Sequence, residues 1–236
     1  MSADSHGCGE GTGPGGRELF DIVKVADGVW AAVAARTYRV NCNTAIIDTG
    51  DGLMVVDSHS KPSAARALLT HVREVTSRPV RYLVNTHFHW DHWQGNEVYA
   101  DTFPGVEVVT NDITHEAMRR KSQKRLQDHV RGGPAELAGL QAQLAGAQSA
   151  DERATIRSNM AQAEAYLAEA EQIRLTFPTL VFERAMRLFR RDREVQLLHL
   201  GRAHTDGDVF VYLPKERIAV TGDAVNGRTP STRSWM

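Results

Sequence analysis

Four potential metal ligands fall within six residues in the stretch His87-Phe88-His89-Trp90-Asp91-His92. This stretch follows the apolar run 80–84, which the pattern predicts to be a β-strand. At a strand end, His87 and His89 point to the same side, because side chains alternate with a period of two. A backbone turn after Trp90 would bring Asp91 and His92 round to face them. The spacing therefore favours a metal site over a histidine-rich polar turn, since zinc accepts imidazole and carboxylate ligands.

The segments around this stretch predict the elements that position it. Residues 22–33 predict a hairpin with an Asp27-Gly28 turn, and residues 44–57 repeat the pattern of two short strands joined by a glycine turn. Apolar residues at helical spacing predict a helix over 62–76, with Pro62 near its start. Strand, helix and strand in this order favour a sheet covered by helices.

Residues 85–96 resemble the signature loop of the metallo-β-lactamase superfamily. Three further segments resemble that family in the same order: 54–57, with an aspartate that braces the metal loop, then 201–208 and 220–223. The resemblance spans roughly Val23 to Asp223, apart from a helical insertion. It implies an α/β (α+β) fold, the four-layer αββα sandwich of the family, with the metal site at an edge where strand ends meet.

The resemblance also implies a binuclear metal centre, in which Asp91 has a catalytic role. The first site would use three imidazoles, and the second would add carboxylates, with Asp223 shared between the metals. The implied ligands are His87, His89, Asp91, His92, His204 and Asp223. The family has one further histidine after the bridging aspartate, whereas no histidine follows His204 here. We therefore expect a C-terminally incomplete family domain, with one tightly bound Zn²⁺ and a weaker second site. Fe and Mn are the alternative metals.

The expected function is a zinc-dependent hydrolase, in which a metal-bound hydroxide attacks an ester, thioester, lactone or lactam carbonyl. Asp223 stands where the β-lactamases of the cysteine-ligand class have cysteine, which favours hydrolases with a bridging carboxylate. The alternatives are a truncated or non-catalytic metal-binding protein, a phosphodiesterase, or a mononuclear-iron oxygenase of the same superfamily.

Length and composition predict one sizeable core, since the 236 residues are 42 % apolar. The glycine-rich residues 1–19 are predicted to be a disordered leader, followed by the family domain over 20–236. A formal charge of −1 gives no indication of a nucleic-acid or acidic membrane partner. Cys8 and Cys42 are too few for a disulfide framework, and no run of 18 apolar residues predicts a membrane span. We expect a cytoplasmic enzyme with a small-molecule substrate.

Residues 111–177 are polar and rich in Ala, Gln, Glu and Arg, which predicts a helical insertion. Three helices are expected, over 112–130, 134–148 and 149–175, with a break at Arg131-Gly132-Gly133-Pro134 and a capping box at Ser149–Glu152. The insertion is expected to shape access to the metals or to form a homo-oligomer contact. Its basic cluster is interpreted as a solvated helix face rather than a nucleic-acid surface (Arg119, Arg120, Lys121, Lys124, Arg125). His59 is expected to cap or line the entrance rather than to approach the metals, and His199 to be structural.

Overall fold

The structure is a computed structural model that describes residues 19–34, 42–191 and 193–225. The predicted leader, with Cys8, and the segment after Val225 lie outside the described residues. The first strands form two hairpins, as predicted. Asp27-Gly28 joins the first pair, and Gly28 has a φ of 69°, a left-handed value that glycine adopts without steric cost. The hairpin strands are β1 (Phe20–Ala26), β2 (Val29–Ala34), β3 (Thr44–Asp48) and β4 (Leu53–Val56).

The next segment changes the sheet from antiparallel to parallel pairing. Helix α1 (Pro62–Val75) carries the chain from β4 back to β5 (Val80–Val84), so β5 pairs parallel with β4. Helix α2 (Asn96–Thr102) similarly precedes β6 (Glu107–Asn111), and β7 (Leu180–Phe182) completes a seven-stranded sheet in sequence order. The carboxyl ends of the parallel strands β4, β5 and β6 therefore share one edge of this sheet.

A second, four-stranded sheet is antiparallel throughout, in the order β11-β10-β9-β8. Because β9 and β11 both run antiparallel to β10 between them, their carboxyl ends also share one edge. The amide of Val209 donates to the carbonyl of Thr86 at 2.8 Å, which joins this edge to the end of β5. The strands are β8 (Ala185–Arg190), β9 (Arg193–Leu198), β10 (Phe210–Leu213) and β11 (Ile218–Val220).

Two apolar layers hold these elements together. One layer packs α1 and α2 on the outer face of the seven-stranded sheet, with Leu68, Leu83 and Tyr99 fully buried. The other fills the space between the two sheets and includes Met54 and Leu197. The predicted mixed fold, two facing sheets with helices outside, is confirmed.

The insertion contains two helices rather than the three predicted. Helix α3 (Asp112–Gly146) continues through Pro134, and helix α4 (Ala150–Ala170) follows its confirmed Ser149 cap, where the hydroxyl accepts from the Glu152 amide at 3.0 Å. The predicted break at Arg131–Pro134 is wrong. Pro134 leaves only one helix hydrogen bond unmade, in an exposed stretch where water can replace it. Gly133 lets α3 pack closely against α4, because a Cβ there would lie 2.4 Å from Leu167 of α4.

None of the helices in the described ranges is both long enough and apolar enough to span a membrane.

Candidate metal centre

The stretch that begins at His87 leaves the end of β5 and turns over one short 3₁₀ helix, Trp90–His92. Gly95, just after this turn, lies against the chain that leaves β4. A Cβ on Gly95 would approach the Ser58 carbonyl oxygen to 2.0 Å, so only glycine permits this contact. The close approach brings the ends of β4 and β5 together, as the predicted turn requires.

Three imidazoles converge on one point at this edge. His87 Nε2 lies 3.1 Å from His89 Nδ1, and His204 Nε2 lies 3.0 Å from the same atom. Two nitrogens bound to one tetrahedral zinc at about 2.0–2.1 Å would stand about 3.3 Å apart. His204 lies in the glycine-containing loop 201–207, which follows β9 of the second sheet and carries His204 to this edge. The three nitrogens are therefore spaced as ligands of a single ion.

A second cluster adjoins the first and consists of His87, His92 and Asp223. His92 Nε2 lies 3.5 Å from Asp223 Oδ1 and 3.6 Å from Asp91 Oδ2. His204 Nε2 lies 3.8 Å from the other oxygen of Asp223, so this carboxylate reaches towards both clusters. Asp91 is placed beside His92 and is not a member of either three-residue cluster. The structure thus brings all six sequence-predicted residues to one edge.

Asp57 supports both clusters through hydrogen bonds. It follows β4 with a φ of 68°, a left-handed conformation that an aspartate adopts more readily than most residues. One of its oxygens accepts from His92 Nδ1 at 2.7 Å and from the Thr86 hydroxyl at 2.8 Å. Because the Thr86 hydrogen is committed to Asp57, its oxygen accepts from His87 Nδ1, at 3.1 Å. Both His87 and His92 are therefore oriented with Nε2 towards the site.

The charge states of His87 and His89 fit a cation, whereas His92 must lose a proton to bind one. Burial, together with the neighbouring His92 and His89, lowers the pKa of His87 to about 2, so its Nε2 keeps a lone pair. Burial also lowers the pKa of His89. Although burial alone would lower the pKa of His92, Asp57 and Asp223 raise it well above its ordinary value. The imidazole of His92, whose Nε2 lies 3.5 Å from Asp223 Oδ1, holds the pKa of Asp223 at about 2.

One buried atom in the site lacks a partner. His92 Nε2 is buried and makes no hydrogen bond within the described residues, although Asp57 fixes its other nitrogen. Such an atom is costly unless something binds it. A divalent cation between His92, His87 and Asp223 would satisfy it, so the residues present fit a metal ion. The donor set contains only imidazole and carboxylate, which suit zinc and also iron or manganese.

Two histidines outside the clusters have structural contacts. His59 was predicted to line the entrance, which is wrong: it is fully buried, with Nε2 3.0 Å from the Thr44 hydroxyl and Nδ1 3.1 Å from Cys42 Sγ. Its backbone follows Asp57 into the interior, where its ring packs on Phe20. His199 lies with Nδ1 3.2 Å from the Asp208 carbonyl, away from both clusters.

Two hydrogen bonds join the insertion to loops of the site, and the sequence indicated neither of them. From α4, the Tyr166 hydroxyl donates to Gln94 at 2.7 Å, and its ring packs edge-on against Trp90. From the start of α3, the Thr114 hydroxyl donates to the Gly207 carbonyl at 2.7 Å, in the loop that carries His204. No spacing rule links residues so far apart in sequence, so these contacts require the three-dimensional structure.

The basic cluster of α3 is exposed, in agreement with a solvated face, but three of its five cations also contact aromatic rings. Lys121 Nζ lies 4.3 Å from the centroid of the Phe88 ring, and Arg125 Cζ lies 5.0 Å from that of Trp90. Arg119 similarly covers Phe177. The aromatic partners lie in the metal loop and at the end of the insertion. They therefore cannot be recognised from the sequence of the helix alone.

Comparison with known proteins agrees with this geometry. The sequence profile of the metallo-beta-lactamase superfamily matches residues 37–234, and the chain therefore belongs to this superfamily. Among solved structures, it is similar to a metallo-beta-lactamase from Pontibacter korlensis (19 % identity, TM-score 0.57, covering 85 % of this chain and 69 % of that one). A metallo-beta-lactamase from Hirschia baltica is also similar (16 % identity, TM-score 0.53, with the same coverage). At these identities the likeness shows the shared fold alone.

A curated relative extends the comparison. The linear primary-alkylsulfatase of a Pseudomonas strain is 22 % identical over 189 residues, which cover 78 % of this chain. The chain spans only 33 % of the length of that relative.

Proposed function

We propose that this chain is a zinc-dependent hydrolase of small-molecule esters, thioesters, lactones or lactams. The observation that carries the proposal is the convergence of three imidazole nitrogens beside the unpartnered Nε2 of His92. Three imidazole ligands leave a fourth position open on a tetrahedral ion, which is the arrangement of catalytic rather than structural zinc sites.

In this proposal, each residue has a defined task. His87, His89 and His204 would hold one zinc ion, and His92 and Asp223 would contribute to a second beside it. When bound, zinc supplies a water of lowered pKa and polarises the scissile carbonyl. Asp57 keeps His92 and, through Thr86, His87 in the required tautomers. Asp91 would take the proton of the attacking water and return it to the leaving group.

The two sites should differ in affinity. The first cluster offers three imidazoles, whereas the second depends on His92, the shared Asp223 and the adjacent Asp91. His92 must also lose a proton that Asp57 and Asp223 stabilise before it can bind a metal. We therefore expect about one zinc ion per chain to survive dialysis, and the second to bind only with excess zinc and more weakly at acidic pH.

Metal analysis with matched histidine variants tests the proposal. Wild type, His204→Ala and His199→Ala would be loaded with zinc, dialysed and measured for bound zinc and for turnover of a panel of esters, thioesters, lactones and lactams. We expect His204→Ala to lose the tightly held ion and the turnover, and His199→Ala to keep both. Chelation should abolish turnover and zinc should restore it. Unchanged zinc content in His204→Ala would contradict the proposal.

Sulfate-ester hydrolysis is a second candidate, supported by the similarity to the alkylsulfatase over 189 residues. The same substrate panel, extended with a medium-chain alkyl sulfate, separates the two. Release of sulfate faster than hydrolysis of any carbonyl substrate would favour this second candidate.

A further inference from the structure

A small cavity of about 60 Å³ lies beside the first cluster, between the metal loop and helix α3. The loop contributes the side chains of Phe88, His89 and Trp90 to its wall, and α3 contributes Lys121, Ser122 and Arg125. His89 is shared with the three-imidazole cluster, so the contents of the cavity would adjoin the reacting atoms. The size is informative, because a single water needs about 10–15 Å³ measured in this way. The cavity therefore has room for about four to six waters, or for one small group of a substrate.

The two cations at this cavity lie over aromatic rings rather than in salt bridges. Lys121 and Arg125 have no carboxylate within 4.0 Å among the described residues, although the adjacent Lys124 is paired with Asp128. The rings of Phe88 and Trp90 lie under the two cations and fix their position by cation–π contact. Neighbouring protein also removes water from Arg125 and lowers its pKa, while the charge of Asp91 acts in the opposite direction. Most of the cavity wall is apolar, and Asp91 is the opposing charge nearby, but two cations held beside one small space favour an anion there.

We infer that this cavity is a specificity subsite for a small oxyanion group of the substrate, a carboxylate, sulfate or phosphate, held by Lys121 and Arg125. The catalytic meaning of the subsite rests on the proposed hydrolase function, but anion binding itself does not. The planar guanidinium of Arg125 suits a bidentate contact with such a group, and Lys121 adds a point charge. The subsite therefore gives a preference for anionic over neutral substrates.

Anion binding is measured first on the full chain with chelator present, so that no metal contributes. Inorganic sulfate, and separately phosphate and acetate, would be titrated at constant ionic strength, with calorimetry and with tryptophan fluorescence, to which Trp90 contributes. We expect saturable binding that Lys121→Met and Arg125→Met each weaken about 10-fold or more, the effect of losing a hydrogen bond to a charged group. Lys124→Met removes the same charge from the same helix outside the cavity and should bind as wild type. Absence of saturation, or equal weakening in Lys124→Met, would overturn the inference.

Substrate selectivity is measured next on the zinc-loaded chain. The probes are a neutral nitrophenyl ester, the same ester with a carboxylate in its acyl part, and one with a carboxylate in its leaving group. For the anionic ester that uses the subsite, Arg125→Met should raise KM about 10- to 100-fold with kcat nearly unchanged. The neutral ester should be unaffected. The anionic ester whose KM rises shows whether the anion lies in the acyl part or in the leaving group of the substrate.

Two controls keep the outcomes separate. Arg125→Lys keeps the charge and should restore part of the affinity, and far-UV circular dichroism with thermal melting shows that each variant is folded. If the zinc-loaded chain hydrolyses none of the probes, the proposed function fails while the sulfate titration still decides the subsite. Equal losses on neutral and anionic esters would overturn the subsite and leave the hydrolase intact.

Discussion

His59 is expected to make the fold sensitive to acid. The imidazole is fully buried, and its two nitrogens are already used by the Thr44 hydroxyl and the Cys42 thiol. Because Thr44 donates its hydrogen to the Asp57 carbonyl, it accepts from His59 Nε2, and Nδ1 is left to accept from Cys42. A second proton has no acceptor there. Burial, with a smaller effect of His92, lowers the pKa of His59 to about 3.

The sign and size of the effect follow from linkage. The folded-state pKa lies below the unfolded value of about 6.5, so between them the unfolded chain binds more protons and stability rises with pH. The contribution is fully present above pH 6.5 and is lost as pH falls towards 3. Between about pH 7.5 and about pH 5, protonation of unfolded His59 costs about 2 kcal/mol, at about 1.36 kcal/mol per pH unit.

Urea unfolding of the chelator-treated protein measures this term. Wild type and His59→Gln would be compared at about pH 7.5 and about pH 5, since the amide of glutamine can replace the contact to Thr44 without titrating. The other histidines are common to both proteins, so their contributions to the pH dependence of the free energy of unfolding cancel in the comparison. We expect wild type to lose about 2 kcal/mol more than the variant on acidification. A loss equal in both proteins would refute a buried, neutral His59. His59→Asn, which tolerates the left-handed backbone at this position, provides a second comparison.

Three further predictions concern the site and the insertion. Asp57→Asn should weaken zinc binding about 10- to 100-fold in a competition titration, whereas Asp21→Asn, on the exposed face of β1, should not, and equal affinities would contradict the bracing role. Asp91→Asn should lower kcat about 10²- to 10⁴-fold, and a fully active variant would remove Asp91 from proton transfer. Gly133→Ala should lower the free energy of unfolding by about 1 kcal/mol or more, because the new methyl displaces Leu167. The neighbouring Gly132→Ala meets nothing within 4 Å and should raise it by about 0.5–1 kcal/mol, so the two variants must differ in sign.

The metal loop was predictable because its chemistry is local. His87, His89 and His92 lie within six residues after a strand, and strand alternation alone places the first two together. His204 and Asp223 have no such local pattern. They were placed by resemblance, and the structure provides the physical reason, since β9 and β11 end at the same edge. The brace from Asp57 was likewise placed by resemblance, whereas the Thr86 link to His87 was not predicted.

The failures of prediction share one cause, which is tertiary contact. The sequence of Arg131–Pro134 predicts a helix end, yet α3 continues through it and packs closely against α4 at Gly133. His59 was placed at the entrance by its proximity to Asp57 in sequence. Its left-handed backbone instead turns it into the interior. The pairing of Lys121 and Arg125 with the rings of the metal loop spans more than thirty residues and leaves no local pattern.

The two contacts of the insertion divide its surface into parts with different mutational tolerance. Thr114 and Tyr166 each support a loop that carries candidate ligands, so substitutions at these two positions would move the metal site itself. The cavity-facing positions of α3 lie between them in sequence and share a cavity wall with one ligand, His89. Proteins of this fold can therefore acquire new substrates through substitutions on the cavity-facing turn of α3, while the metal site stays unchanged. Adaptation of this chain should be concentrated there, with the two supporting residues held fixed.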